Sequence, residues 1–169
     1  LMKIPHLMQN PAVLQVMPTI VGEVLLAIKE VNRKTRDTAF DVLVSLGRKL
    51  ISVESVAPGV QLSSEFSQNS NQPLMAEYCM MIMGGIAGRT PRMVSASILA
   101  LSRLVYEFRS TMAQSTTSEI LATVILLLKS QTREVVKSVL GFVKVAVISV
   151  EPAGLQPILG ELVTGLTLW

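Results

Sequence analysis

At 169 residues the chain is long enough to bury one sizeable core, and with half its residues hydrophobic but only 4% aromatic it favours aliphatic helix packing over an all-β domain. A net charge of +3 and a pI near 9.3 lean only mildly toward an acidic partner. Mean hydropathy is high at +0.51, yet the longest charge-free apolar window runs only from Tyr78 to Gly88, short of the roughly 18 residues a membrane span needs.

Residues 1–17 carry Pro5, Pro11, the Gln9–Asn10 pair and the single histidine, His6, and read as an irregular lead-in. Repeats are expected over 18–169. A helix is predicted after Pro18, through IVGEVLLAIKE, because proline fits a first turn. Asn32 suits the N-cap of the next helix, which should reach about Ile51. The stretch 54–72 is dense in Ser and Asn from Ser63 onward and is predicted to be a mobile loop insertion. Pro73 then opens PLMAEYCMMIMGGIAG, which should end at Gly84, Gly85 and Gly88. Thr90–Pro91 restarts a helix over 91–109, with threonine as N-cap and proline at the first position. Thr116 and Glu119 have capping-box spacing before EILATVILLLK, and Ser130–Gln131 leads into a helix over 132–149. Pro152 and Gly154 break that helix, and LQPILGELVTGLTLW begins another pair.

Three of these segments are variations on one helix. TRDTAFDVLVSLGRKLI from Thr35, PRMVSASILALSRLVYE from Pro91 and TREVVKSVLGFVKVAVI from Thr132 align on Arg36, Arg92 and Arg133. That alignment puts Val42, Ile98 and Val139 in one column and Leu43, Leu99 and Leu140 in the next. Arg92 and Arg133 stand 41 residues apart, within the roughly 40–47 of HEAT and armadillo units, and the first spacing is longer by the insertion. The preceding helices echo too, since Val24–Lys29 (VLLAIK) matches Val124–Lys129 (VILLLK). The expected fold is therefore all-α: a HEAT/armadillo-type right-handed α-solenoid of about four helix pairs, with second helices lining one surface. The surplus apolarity, including Leu162, Leu166, Leu168 and Trp169, reads as the uncapped end of a piece of a longer array.

Catalytic chemistry finds little support. His6 lies in the lead-in, and no Ser/His/Asp or Cys/His combination falls inside a packed region. Cys79, the single cysteine, sits in the apolar run YCMMIM and reads as an inert core thiol. With no disulfide framework and no Asn-x-Ser/Thr site, the composition points to a reducing compartment. Gly84–Gly88 lacks the strand and the Gly-Lys-Ser/Thr ending of a phosphate loop. Asp37 and Asp41 lie one turn apart without a third ligand, and Arg33 is placed to pair with Asp37. No cofactor, metal or small-molecule substrate is implied.

One constellation stands out, and it is basic. Arg133, Lys137, Gly141 and Lys144 fall within an arc of roughly 80° on a helix of 3.6 residues per turn. The same face reads Arg92, Ala96, Ala100, Arg103 in the second copy and Arg36, Phe40, Val44, Gly47 in the first. Small residues between charges let a phosphate backbone approach, which makes these six cations candidate nucleic-acid contacts. The alternative is a structural ladder, in which Arg36, Arg92 and Arg133 pair with acidic neighbours and carbonyl ends between repeats. Aromatic stacking platforms are not expected from the sequence.

The segments KEVNRKTRDTAFDVLVSLG (29–47), GGIAGRTPRMVSASILALSRLVYEF (84–108) and SQTREVVKSVLGFVKVAVI (130–148) resemble later HEAT repeats of the ribosomal RNA-processing protein twelve family, over most of 22–150. The resemblance implies a non-enzymatic scaffold of the nucleolus and nucleus, shuttling to the cytoplasm. It further implies work in pre-ribosomal RNA processing and in nuclear export of ribosomal subunits. Its implied partners are pre-ribosomal particles, ribosomal RNA, assembly factors and a Ran-type GTPase. The competing expectation is a protein-only adaptor, similar to a nuclear transport receptor, that takes a peptide or a small GTPase.

Overall fold

The structure is a computed structural model, and it describes residues 11–56, 73–129 and 132–167. Every regular element among the described residues is helical. Helix α1 spans Pro11–Ile28, α2 Arg33–Val56, α3 Leu74–Met83, α4 Pro91–Glu107, α5 Gln114–Ile125 and α6 Arg133–Ser149. A short α7, Pro152–Leu155, and α8, Leu159–Thr167, complete the described chain. Turns of 3₁₀ helix extend α3 over Gly84–Ala87 and α5 over Leu126–Lys129, and another joins α7 to α8.

The capping chemistry accounts for several of these boundaries. Asn32 Oδ1 accepts the backbone N–H groups of Lys34 at 2.9 Å and Thr35 at 3.4 Å, satisfying donors that the first turn of α2 leaves open. Thr90 Oγ1 does the same for Met93 N at 3.3 Å, with Pro91 at the first position of α4. Three sequence-based boundaries move. Helix α1 begins at Pro11 and carries Pro18 inside it. An interior proline is costly, but the buried face of Met17, Val21, Leu25 and Ile28 holds the helix together past it. Helix α5 begins at Gln114, with Ala113 as N-cap, so Thr116 is not a cap. Gln114 instead clamps the turn after α6: its Nε2 donates to the Ser149 carbonyl at 3.3 Å, and Glu151 N donates to its Oε1 at 3.4 Å. Helix α2 runs on to Val56, and the rest of the expected loop, 57–72, lies outside the described residues, as does His6.

Helix α2 packs on α1, α4 on α3 and α6 on α5, and α4 lies in the middle of the assembly against α1, α2, α3 and α6. Its Ile98, Leu101, Leu104 and Val105 are all fully buried. Burial also fixes the register between copies. Leu43, Ile98 and Val139 are each 0% exposed, whereas Val42 is 37% exposed and Leu99 and Leu140 are half-buried. Helices α4 and α6 thus keep the register read from the sequence, and α2 runs one residue out of step with it. The first-helix echo appears in the core as well, with Leu25 matched by Ile125 and Ile28 by Leu128, all buried.

Glycine makes close approach possible at Gly47 and Gly85, among other places. A Cβ on Gly47 would stand 2.8 Å from the Phe108 ring and 3.1 Å from Met75 Cε. A Cβ on Gly85 would overlap Ser97 Oγ and lie 3.5 Å from Leu25 Cδ1. Gly85→Ala should therefore cost about 1–3 kcal/mol in urea denaturation. In a Ser97→Ala background the hydroxyl in the way is gone, so the same change should cost measurably less. Equal costs in both backgrounds would show that the clash is relieved elsewhere.

Candidate nucleic-acid interface

Helix α6 presents Arg133, Lys137, Gly141 and Lys144 to solvent, all four exposed on one side of the helix. A Cβ added to Gly141 would meet no heavy atom within 4 Å, so the surface between the charges is open. Among the described residues, none of Arg133, Lys137 and Lys144 forms an ion pair. Their charge faces water uncompensated by a close carboxylate, apart from Glu134 at the end of the row.

The fold adds a cation that the sequence does not place here. Lys29, in the turn after α1, brings Nζ to 2.7 Å from Glu134 Oε1 and donates to Ser95 Oγ at 3.2 Å. The Ser95 and Ser138 hydroxyls lie 2.7 Å apart, so a buried polar thread joins this turn to α4 and α6. Lys29, Arg133, Glu134 and Lys137 line an open cleft of about 650 Å³, with Val136 and Leu140 as its apolar floor. The match between Lys29 and Lys129 is visible in the sequence, but only the packing brings Lys29 against α6.

The other three candidates sit in different surroundings. Arg36 Nη1 donates to the carbonyls of Glu30 at 2.9 Å and Val31 at 2.8 Å, closing the turn within its own helix pair. Arg92 Nη2 stands 2.7 Å from Glu30 Oε1, tying the second pair to the first. These two form a structural ladder of sorts, with unlike contacts. Arg133 is not a rung in it: the link from α6 to the first pair runs instead through Glu134 and Lys29. Arg103 Nη2 pairs with Glu107 Oε1 at 2.9 Å, and Glu107 Oε2 also lies 3.6 Å from Arg48 Nη2. Arg33 and Asp37 approach to 3.5 Å as their spacing predicts, both exposed.

The expectation of open ground between charges fails on α2 and α4. Ala96 and Ala100 are 0% exposed, and Val44 and Gly47 are buried too. Helix α4 has neighbours on both sides, so its small residues serve helix approach and leave no path for a phosphate. Among the described residues of these three helices, a continuous basic stripe is therefore found on α6. Because Arg133 holds no ion pair, Arg133→Ala should shift stability by less than about 0.5 kcal/mol. Arg92→Ala, which breaks a half-exposed pair, should cost up to about 1 kcal/mol. Urea denaturation followed by circular dichroism separates the two, and a larger loss at Arg133 would contradict the geometry.

Cys79 is fully buried, and burial pushes its thiol from the ordinary 9.0 up to about 12. Tyr78 beside it is also raised, by burial and then by the neighbouring thiol, and its hydroxyl donates to the Leu43 carbonyl at 3.2 Å. Cys79 is therefore packing and no nucleophile. The unfolded chain releases these protons first, so stability should fall as pH rises above about 9, with no contribution from either group below that. Native Cys79 should resist alkylation at neutral pH and label only on unfolding. No helix among the described residues is long and apolar enough to cross a membrane.

No protein-family model matches the chain. Among curated proteins, 150 residues are 35% identical to ribosomal RNA-processing protein 12 of Saccharomyces cerevisiae, covering 88% of this chain and 12% of that protein. An RRP12-like protein of Homo sapiens is 40% identical over 136 residues, 80% of this chain and 9% of its own length. A putative ribosomal RNA-processing protein 12 of Schizosaccharomyces pombe is 28% identical over 162 residues, 96% of this chain and 13% of that protein. The chain thus spans between 9% and 13% of the length of these relatives.

Proposed function

The chain belongs to the ribosomal RNA-processing protein 12 family, and from that premise we propose that it serves as a non-enzymatic helical-repeat scaffold in ribosome biogenesis. In this reading 18–169 forms HEAT/armadillo-type repeats of a right-handed α-solenoid of about four helix pairs. The repeated pairing of α1 with α2, α3 with α4 and α5 with α6, and the burial register shared by α4 and α6, support that architecture. The setting is the nucleolus and nucleus, where pre-ribosomal RNA is processed and subunits are prepared for export. The partners are pre-ribosomal particles, their RNA and assembly factors, with a Ran-type GTPase on the export side.

The observation that carries an RNA contact is the outward face of α6. Arg133, Lys137 and Lys144 are exposed in a row, with the Lys29–Glu134 pair at one end of it. A phosphate backbone is recognised by such rows through counterion release, which makes affinity fall steeply with salt. Binding of this chain to a fluorescent ribosomal RNA segment, titrated between about 50 and 200 mM salt, tests the reading. Affinity that drops by a decade or more across that range supports it. No RNA binding, with capture of a peptide or small GTPase in its place, would return the chain to the adaptor reading.

A further inference from the structure

A second surface combines aromatic and cationic groups that lie far apart in the sequence. Phe40 of α2, Leu99, Ser102, Arg103 and Tyr106 of α4 and Val145 of α6 line an open groove of about 280 Å³ that crosses three helices. Tyr106 is 46% exposed, a high value for an aromatic on the most enclosed helix. The Arg109 guanidinium lies 5.0 Å from its ring centroid, and Arg109 Nη1 also donates to the Tyr106 carbonyl at 2.8 Å. The ring is thus held by a cation that covers part of it while much of its surface stays open to the groove.

The charge around this groove is net positive, with the carboxylate of Glu107 set among arginines. Arg103 is on its wall, where it pairs with Glu107, and Arg109 is against Tyr106. Arg48 comes close by way of Glu107, the carboxylate that Arg48 and Arg103 share. An apolar floor with an exposed aromatic and a cationic rim suits a ligand that carries planar π-faces on an anionic backbone. Single-stranded RNA is that ligand, because every base offers a stacking face and every linkage a phosphate.

We infer that the groove across α2, α4 and α6 holds an unpaired base of single-stranded RNA stacked on Tyr106. Arg103 and Arg109 flank it toward the adjoining phosphates. The inference rests on the RNA reading above and sharpens it, since the α6 row alone would accept a duplex equally well. It also corrects the expectation that stacking platforms are lacking: overall aromatic content is low, but the fold brings Phe40 and Tyr106 to one opening.

The test uses the intact chain and fluorescently labelled oligoadenylate of about twenty nucleotides, beside an abasic oligonucleotide of equal length, at one salt concentration and then across a salt series. Loss of one base–aromatic stack corresponds to roughly 5- to 150-fold in affinity. Tyr106→Ala should weaken oligoadenylate binding within that range and leave the salt slope unchanged, because no phosphate contact is removed. Tyr106→Phe and Tyr106→Trp should bind like wild type, and the abasic strand should be indifferent to Tyr106→Ala. Thermal melts of each variant establish that folding is intact, and the conservative variants keep the result readable if alanine unfolds the chain. Wild-type affinity for oligoadenylate in a folded Tyr106→Ala chain would overturn the stacking inference, leave the α6 row standing and hand the groove to a protein ligand. Failure of the wild-type chain to bind any of these strands, or duplex RNA, would overturn both readings together.

Discussion

Changing Lys137 and Lys144 together to glutamate should leave the fold intact and strip most of the RNA affinity from α6. Both side chains are exposed and, among the described residues, hold no ion pair, so the stability change should stay within about 0.5 kcal/mol for each. The double reversal removes two positive charges and adds two negative ones next to the phosphate path. For a single strand each lost phosphate contact lowers the slope of log K against log salt by about 0.7, so the slope should flatten by roughly 1.4. Affinity near 100 mM salt should fall at least about tenfold, while the Tyr106 groove keeps its own contribution. Fluorescence anisotropy across a salt series reads both quantities. A folded double variant with wild-type affinity and slope would remove the α6 row from the interface.

The helical class and most boundaries of this chain were legible in its sequence, because caps and apolar spacing are local properties. Thr90–Pro91 and Asn32 act through neighbours two or three residues away, and those bonds form as read. The register of α4 against α6 was equally legible, since near-copies bury equivalent positions. The first copy misled by one residue because its arginine does a different job from the others. Arg36 closes a turn inside its own pair, whereas Arg92 reaches back to the previous one, so aligning the two shifts the buried column.

The candidate site was legible only in part, and the missing parts are those made by tertiary packing. Periodicity places Arg133, Lys137 and Lys144 on one face, but it cannot say which helices are covered. Ala96 and Ala100 look like Gly141 in the sequence and are sealed because α4 is central. Lys29 and Tyr106 gain their places from contacts between distant segments, Lys29 with Glu134 and Tyr106 with the groove walls of α2 and α6. No local pattern announces either.

Phe142→Ala should be among the most damaging single changes in the chain, at about 3–5 kcal/mol. The ring is fully buried on the inner side of α6, in the same cluster as Val139 and Ala146, and α6 packs most extensively on α4. Removing it loses apolar burial and leaves a cavity whose walls belong to helices already fixed by other contacts, so little collapse is open to them. Leu162→Ala offers the contrast. Leu162 is 8% exposed on the short α8, which packs on the 3₁₀ turn after α5 and on α5 itself. Because α8 packs on the α5 end of the molecule, a loss there should loosen that helix and leave the central stack standing. The two variants should therefore differ in kind as well as size. Phe142→Ala should lower the urea midpoint of the whole helical signal. Leu162→Ala should speed hydrogen exchange in α8 while α4 and α6 keep their protection. A loss below about 1 kcal/mol for Phe142→Ala would mean that α6 contributes little to the core, and the outward row built on it would lose its rigid support.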